Sequence, residues 1–370
     1  MALEIGHGSE YSSGRRRGAF TGRGAVQEGP MQSRRAVIRR VGGPEVMEVV
    51  EEELGPPGPG MVQVRVLASG VAYGDVQKRR GFIPGMRPPL TPGYDLAGVV
   101  EACGPAASRF APGDRVAAFV VNGGNAERVQ VPERHLVAVP GGVESTEAAA
   151  LVLDHVTAWQ MLHRVARVEP GARILVHGAG GGVGTALLAL ARLHGALAFG
   201  TASRAKHDVV ARLGGIPIDY QREDFVEVVR ARTGSGVDAV FDGVGGAHLA
   251  RSRAALRPGG CLVAFGVTTE ARVGRRAIAA TLLRLAAYRL FSPGRRVALY
   301  GIGRRRGADD PTIPEDLARI LALRAEGKLA PVIGAVLPLD EIGRAHAMKE
   351  RAEVAGKIVL VPREAVNAAP

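Results

Sequence analysis

Aromatic side chains make up only 4% of this 370-residue chain, and there are just two cysteines, Cys103 and Cys261. Neither lies in a Cys/His cluster, so they can assemble neither a disulfide framework nor a structural zinc site. Lysine is nearly as scarce: five of the 48 basic residues, against 43 arginines. With 51 glycines and abundant alanine, that bias reads as the imprint of a GC-rich genome, although a net charge of +12 would ordinarily suggest polyanion partners. The arginine clusters at 15–17, 275–276, 295–296 and 304–306 carry no interleaved aromatics, and no nucleic-acid partner is expected. No apolar run reaches the roughly 18 residues of a membrane span, and the N-terminus lacks the apolar core of a signal peptide. The expectation is a soluble protein of a reducing cytoplasm.

What is present is enough chain for about two domains and a sizeable core. Residues 1–30 are Gly/Ser/Arg-rich without periodicity and are expected to be disordered. Residues 31–152 hold short strand patterns (VQVRVLASGV, DLAGVVEACG, DRVAAFVV, ERVQVP, HLVAVP) broken by Pro-Gly and Pro-Pro, which predict a β-rich module. From 153 to 310 strand and helix patterns alternate, as in a doubly wound parallel sheet. Residues 311–370 contain a strand–helix–strand pattern that can rejoin the first module.

The segment RILVHGAGGGVGTALLALARLHGALAFGTASRAK, at 173–206, carries the most chemistry. A buried-strand run leads into Ala179-Gly180-Gly181-Gly182-Val183-Gly184, an A-x-G-x-x-G turn that opens an apolar helix followed by a second strand. Glycine lets the backbone approach a pyrophosphate, and the helix N-terminus offers unpaired N–H groups. Ala179, Gly181, Gly182, Val183 and Gly184 are therefore cofactor candidates. An NAD site places an acid roughly 20 residues past the glycines, on the ribose 2′-OH. Here Ser203, Arg204 and Lys206 offer a hydroxyl and two cations instead, which suit a 2′-phosphate and select NADPH. Ser203 can also cap the following helix.

Further motifs accompany this unit in order: Gly70-Val71-Ala72-Tyr73-Gly74-Asp75, Thr91-Pro92-Gly93-Tyr94-Asp95-Leu96-Ala97-Gly98, Pro112-Gly113-Asp114-Arg115-Val116, Thr157-Ala158-Trp159, Val237-Asp238-Ala239-Val240-Phe241-Asp242, Arg257-Pro258-Gly259-Gly260 and Gly356-Lys357-Ile358-Val359-Leu360. Over residues 34–362 this series resembles the medium-chain dehydrogenase/reductase superfamily, specifically its zinc-free quinone oxidoreductase branch, which includes zeta-crystallin and the enoyl reductases. The resemblance implies an α/β fold, with a GroES-like β-rich catalytic domain beside a Rossmann doubly wound parallel sheet. Where zinc enzymes of the superfamily keep Cys and His-Glu, this chain has Ala72 and Tyr94-Asp95, and the four-cysteine lobe is absent, so no catalytic metal is expected.

The resemblance implies hydride transfer from NADPH to a conjugated carbonyl compound: a quinone, an enone or an enoyl thioester. Tyr73 is the candidate to hydrogen-bond the substrate carbonyl or return a proton, against a packing role. By the same resemblance Thr157 faces the nicotinamide, Tyr220 packs near the 2′-phosphate, Phe265, Gly266 and Val267 touch the carboxamide, and Val244 forms a cleft wall. The quinone reductases of the branch usually carry Asn where Ala72 stands. That departure leaves two alternatives open: a tailoring enoyl reductase acting on a carrier-bound or polyketide-like intermediate, and a non-catalytic NADPH-binding protein like zeta-crystallin. RRVALYGIG resembles the edge strand through which family dimers join, which predicts a homodimer. No histidine pair has metal-binding spacing on one helix face. Residues 270–296 form an apolar, arginine-flanked helical pattern, read first as a core or dimer-facing helix, with a lid, a membrane-surface helix and a carrier-docking face as the other readings.

Overall fold

The computed structural model describes residues 31–83, 85–266, 275–291, 294–303 and 306–363. The expected disordered stretch 1–30 and the predicted cofactor residue Val267 lie outside the described residues.

Strands β1 (Met31–Ile38) and β2 (Met47–Leu54) form an antiparallel pair. After β3 (Met61–Val71), helix α1 (Tyr73–Arg79) intervenes before β4 (Asp95–Cys103), β5 (Arg115–Phe119), β6 (Arg128–Pro132) and β7 (Leu136–Ala138). Alternation along β3 sends Val62, Val64 and Val66 into a core with Leu96, Val100, Val116 and Leu136. At the Pro-Gly-Asp turn before β5, Gly113 takes a positive φ of 98° and Asp114 Oδ2 accepts the Ala111 N–H at 2.8 Å.

The alanine-rich helix α2 (Ser145–Trp159) is buried from Ala148 to Ala158. Small side chains let it lie close between neighbours on both sides. Beyond it run β8 (Arg173–His177), α3 (Gly182–Leu193), β9 (Leu197–Ala202), α4 (His207–Arg212), β10 (Gly215–Asp219), α5 (Phe225–Thr233), β11 (Val237–Asp242), α6 (His248–Ala254), β12 (Leu256–Ala264), α7 (Arg275–Phe291) and β13 (Arg296–Leu299). The six strands form one parallel sheet in the order β10-β9-β8-β11-β12-β13. The order reverses between β8 and β11, the switch point at which a doubly wound sheet opens a crevice for ligand. Both faces are covered: Ile174 and Val176 join one core with Leu187 and Leu190, while Leu175 joins another with Phe199 and Phe225.

The chain then returns through α8 (Thr312–Ala325), β14 (Ile333–Pro338), α9 (Ile342–Glu350) and β15 (Lys357–Val361). Strand β15 pairs with β3, completing a sheet ordered β14-β15-β3-β4-β5-β7, with β6 on β3. Helix α2 packs on β3, β4, β5 and β15 on one side and on α3 and α8 on the other, so it joins the two halves. Strand β13 is an edge strand. Helix α7 differs from a core helix: among its residues 279–290 only Thr281 and Leu285 are buried, with Tyr288 half-buried.

Candidate cofactor and substrate site

Strand β8 ends at His177, and the glycine turn carries the chain into α3. Gly184 must be glycine: a Cβ there would lie 2.3 Å from the Gly178 carbonyl oxygen and 2.7 Å from Ala179 Cα. This close packing aims the first N–H groups of α3, which have no partner within the helix, at the crevice. The turn is tethered from the other half of the chain, since Gly356 donates its N–H to the Gly180 carbonyl at 3.0 Å.

Ala202 of β9 and Asp219 of β10 are register partners, so the residues following them share one edge of the crevice. Ser203, Arg204 and Lys206 follow β9, and Tyr220, 56% exposed, follows β10. The alkyl stem of Lys206 lies over Gly180, and its Nζ donates to the Ala352 carbonyl at 2.8 Å. Burial lowers its pKa. Among the described residues neither Arg204 nor Lys206 has a carboxylate partner; Arg204 Nη1 lies 3.3 Å from His207 Nδ1. Ser203 occupies the position before a helical turn, yet its side chain makes no capping bond.

At the end of β11, Asp242 Oδ1 accepts the N–H groups of Val244 and Gly245 at 2.8 and 3.0 Å. This fixes the loop that carries Val244. Phe265 donates its N–H to the Asp242 carbonyl at 2.9 Å and lays its ring against Gly243, while Gly266 sits so close that a Cβ would come 2.6 Å from the Gly243 oxygen. Val244, Phe265 and Gly266 are thus brought together beside the switch point. Thr157, buried on α2, is met by Tyr300, whose hydroxyl donates to Gln160 Oε1 at 2.8 Å.

Behind this loop lies a polar cluster that sequence reasoning missed. His177, Asp242 and His248 bring potential ligand atoms within 4.8 Å of one another. They come from β8, β11 and α6, so no local spacing could reveal them. Ser252 Oγ fills the point between them, 2.6 Å from Asp242 Oδ2, 3.1 Å from His177 Nε2 and 3.3 Å from His248 Nδ1. His177 Nδ1 is also engaged, 3.0 Å from Thr201 Oγ1. Burial lowers the His177 pKa to about 3, keeping it neutral. The groups satisfy one another, and the network clamps the ends of β8 and β11 together. His155 is a buried core histidine, lowered by burial to about 4.

The β-rich side contributes the segment from Ala72 to Asp75. Asp75 Oδ2 accepts the Ala72 N–H at 3.0 Å, and its Oδ1 accepts the Gly93 N–H at 3.0 Å and Lys78 Nζ at 3.1 Å. Lys78 is wholly buried; its ammonium also donates to the Val121 carbonyl at 2.6 Å and stands 3.4 Å from the centroid of the Tyr94 ring. Tyr73 is half-buried at the start of α1, and its hydroxyl has no protein partner among the described residues. Asp95 Oδ2 accepts from Lys357 at 2.5 Å, and Asp154 Oδ2 lies 3.8 Å from the same ammonium. Burial would lower the Lys357 pKa, but Asp154 and Asp95 outweigh it and raise the pKa, holding Lys357 charged. This set does not fit a catalytic zinc: Ala72 has no donor atom, burial and the Asp75 charge push the Tyr94 phenol up so that it stays protonated, and Asp95 is taken by Lys357.

Comparisons with known proteins agree with the fold. Residues 58–142 match the alcohol dehydrogenase GroES-like domain family, and residues 213–360 match a family described as zinc-binding dehydrogenase. The chain is 34% identical over 315 residues to the synaptic vesicle membrane protein VAT-1 homolog of Rattus norvegicus, covering 83% of this chain and 78% of that protein. It is 33% identical over 337 residues to a 2-haloacrylate reductase of a Burkholderia species, covering 89% and 98%. The crystal structure of Escherichia coli quinone oxidoreductase complexed with NADPH superposes with a TM-score of 0.80 at 26% identity, covering 89% of this chain and 100% of that one.

Proposed function

This chain is a member of the zinc-free quinone oxidoreductase branch of the medium-chain dehydrogenase/reductase superfamily, an oxidoreductase, and on that premise we propose that it reduces a conjugated carbonyl compound with NADPH. The observation that carries the cofactor choice is the pair of cations Arg204 and Lys206, without carboxylate partners among the described residues, at the end of β9 where an NAD site would hold an acid. NADPH supplies the hydride when bound. The N-terminus of α3 and the glycine turn hold its pyrophosphate; Ser203, Arg204, Lys206 and Tyr220 hold the 2′-phosphate; Thr157, Val244, Phe265, Gly266 and Val267 place the nicotinamide. Tyr73, with its uncommitted hydroxyl, hydrogen-bonds the acceptor oxygen and returns a proton.

A relative named for the reduction of 2-haloacrylate, a C=C conjugated to a carboxyl, and a structural neighbour holding NADPH support this reading. So does the absence of zinc ligands at Ala72 and Tyr94, because a conjugated acceptor needs less electrophilic help than a plain ketone.

The test follows NADPH absorbance with 1,4-benzoquinone, 9,10-phenanthrenequinone, small enones and enoyl thioesters. NADPH oxidation on at least one acceptor, with NADH clearly poorer, is expected. Tight NADPH binding with no oxidation on any acceptor refutes the catalytic reading.

A further inference from the structure

Helix α7 shows an outward face with no polar complement. Thr281 and Leu285 are buried, the latter with Leu249, Leu256 and Leu262, and Tyr288 meets the Arg253 guanidinium at 5.3 Å. The opposite side holds Ala279, Ala280, Leu283, Ala286, Ala287 and Leu290, all exposed. Leu283 is 72% and Leu290 76% exposed, the two highest values among the exposed large hydrophobics of the described residues. At about 100° per residue these six positions fall on one continuous side of the helix, with Arg284 and Arg289 at its two flanks. The surrounding sequence is one-sided in charge: residues 271–308 contain ten arginines and no aspartate or glutamate.

Two occupants are physically available. In a two-fold pairing of α7 with its copy, arginines would face arginines across a segment with no carboxylate to neutralise them, and like-charge juxtaposition opposes that. An anionic lipid surface has the opposite sign of charge and an apolar layer below it. Leucines can enter the boundary between headgroups and acyl chains while flanking arginines extend to phosphates and carboxylates. No helix among the described residues is long and apolar enough to cross a membrane, so the contact is peripheral. We propose that α7 is a membrane-docking helix, laying its Ala/Leu face on a bilayer rich in anionic lipid.

The test uses the full chain, flotation with vesicles of equal parts phosphatidylserine and phosphatidylcholine or of phosphatidylcholine alone, and light scattering for mass. Partitioning onto the anionic vesicles is expected to exceed that onto the neutral ones by about tenfold or more, and to fall roughly fivefold for each of Arg284→Ala and Arg289→Ala. Leu283→Glu with Leu290→Glu is expected to abolish it while the circular dichroism spectrum and subunit mass stay unchanged, both sites being exposed. Three outcomes overturn the proposal: no flotation on anionic vesicles, flotation that survives the double Glu variant, or a double Glu variant that halves the particle mass, which would make α7 a contact between copies.

Discussion

Lys357 is the best place to perturb the site from within. Its ammonium is buried, 2.5 Å from Asp95 Oδ2 and 3.8 Å from Asp154 Oδ2, and among the described residues neither Asp95 Oδ1 nor Asp154 Oδ2 has a hydrogen-bond partner. Lys357→Met therefore leaves two buried carboxylates without their cation. Breaking a buried pair in this way costs about 3–5 kcal/mol. With roughly 2.1 cal/mol/K of unfolding entropy per residue, the loss corresponds to a Tm lower by about 4–7 °C in calorimetry.

The deficit has a sign in pH. In the wild type the raised Lys357 pKa confers stability that is complete below the ordinary lysine range and lost only above it, so Lys357 itself contributes little slope near neutrality. Burial already raises the Asp95 pKa above its unfolded value with Lys357 beside it, and in the variant the loss of that ammonium raises it further. The folded state then binds more protons, and stability falls as pH rises. Measured at about pH 5 and at about pH 8, the difference from wild type should be smaller at the lower pH. Because Asp154 Oδ2 lies where a Gly182 Cβ would come within 2.0 Å of it, disturbing this cluster should also weaken NADPH binding at the start of α3. Adding Asp95→Asn should restore part of the loss. A variant with wild-type Tm at both pH values would refute the view that Lys357 stabilises the fold by neutralising these buried carboxylates.

Arg204→Ala with Lys206→Ala should raise the NADPH Kd by about tenfold or more per charge-assisted bond lost, with far less effect on NADH, read by fluorescence titration. Equal weakening of both cofactors would remove the 2′-phosphate assignment. Tyr73→Phe should lower kcat by about 10²–10⁴ while leaving the NADPH Kd unchanged, and an unchanged kcat would return Tyr73 to packing. Burial lowers His155 and His346 to about 4 and His177 to about 3, against 6.5 in the unfolded chain. Each is neutral in the fold and takes up a proton on unfolding, so stability should rise with pH from about 4 to 6.5 and level off above. His346→Leu should flatten that slope in denaturant titrations, since both His346 ring nitrogens lack a partner.

Features confined to one stretch of chain were legible in the sequence. The glycine turn could be read because strand, turn and helix are contiguous, and Gly184 answers to a steric demand against the Gly178 carbonyl. The β-rich module and the returning β15 could be read from alternation and motif order. Polar contacts between distant elements could not. Asp95 and Lys357 meet across 262 positions, and His177 and Ser252 across 75. Lys78 sits in the charged run QKRR, yet the fold buries it against Asp75 and Tyr94. The physical reason is common to all three: a polar or charged group enters the interior only where a partner awaits it, and one-dimensional patterning carries apolar periodicity but not that pairing. Helix α7 shows the converse. Its sequence reads as a core or dimer-facing helix; the sheet covers one side of it, and the other side keeps its leucines exposed in the single chain. Buried charge and exposed leucine are thus two departures from patterning in this chain; the first lies inside the β-rich half, and the second lies on the outward side of α7.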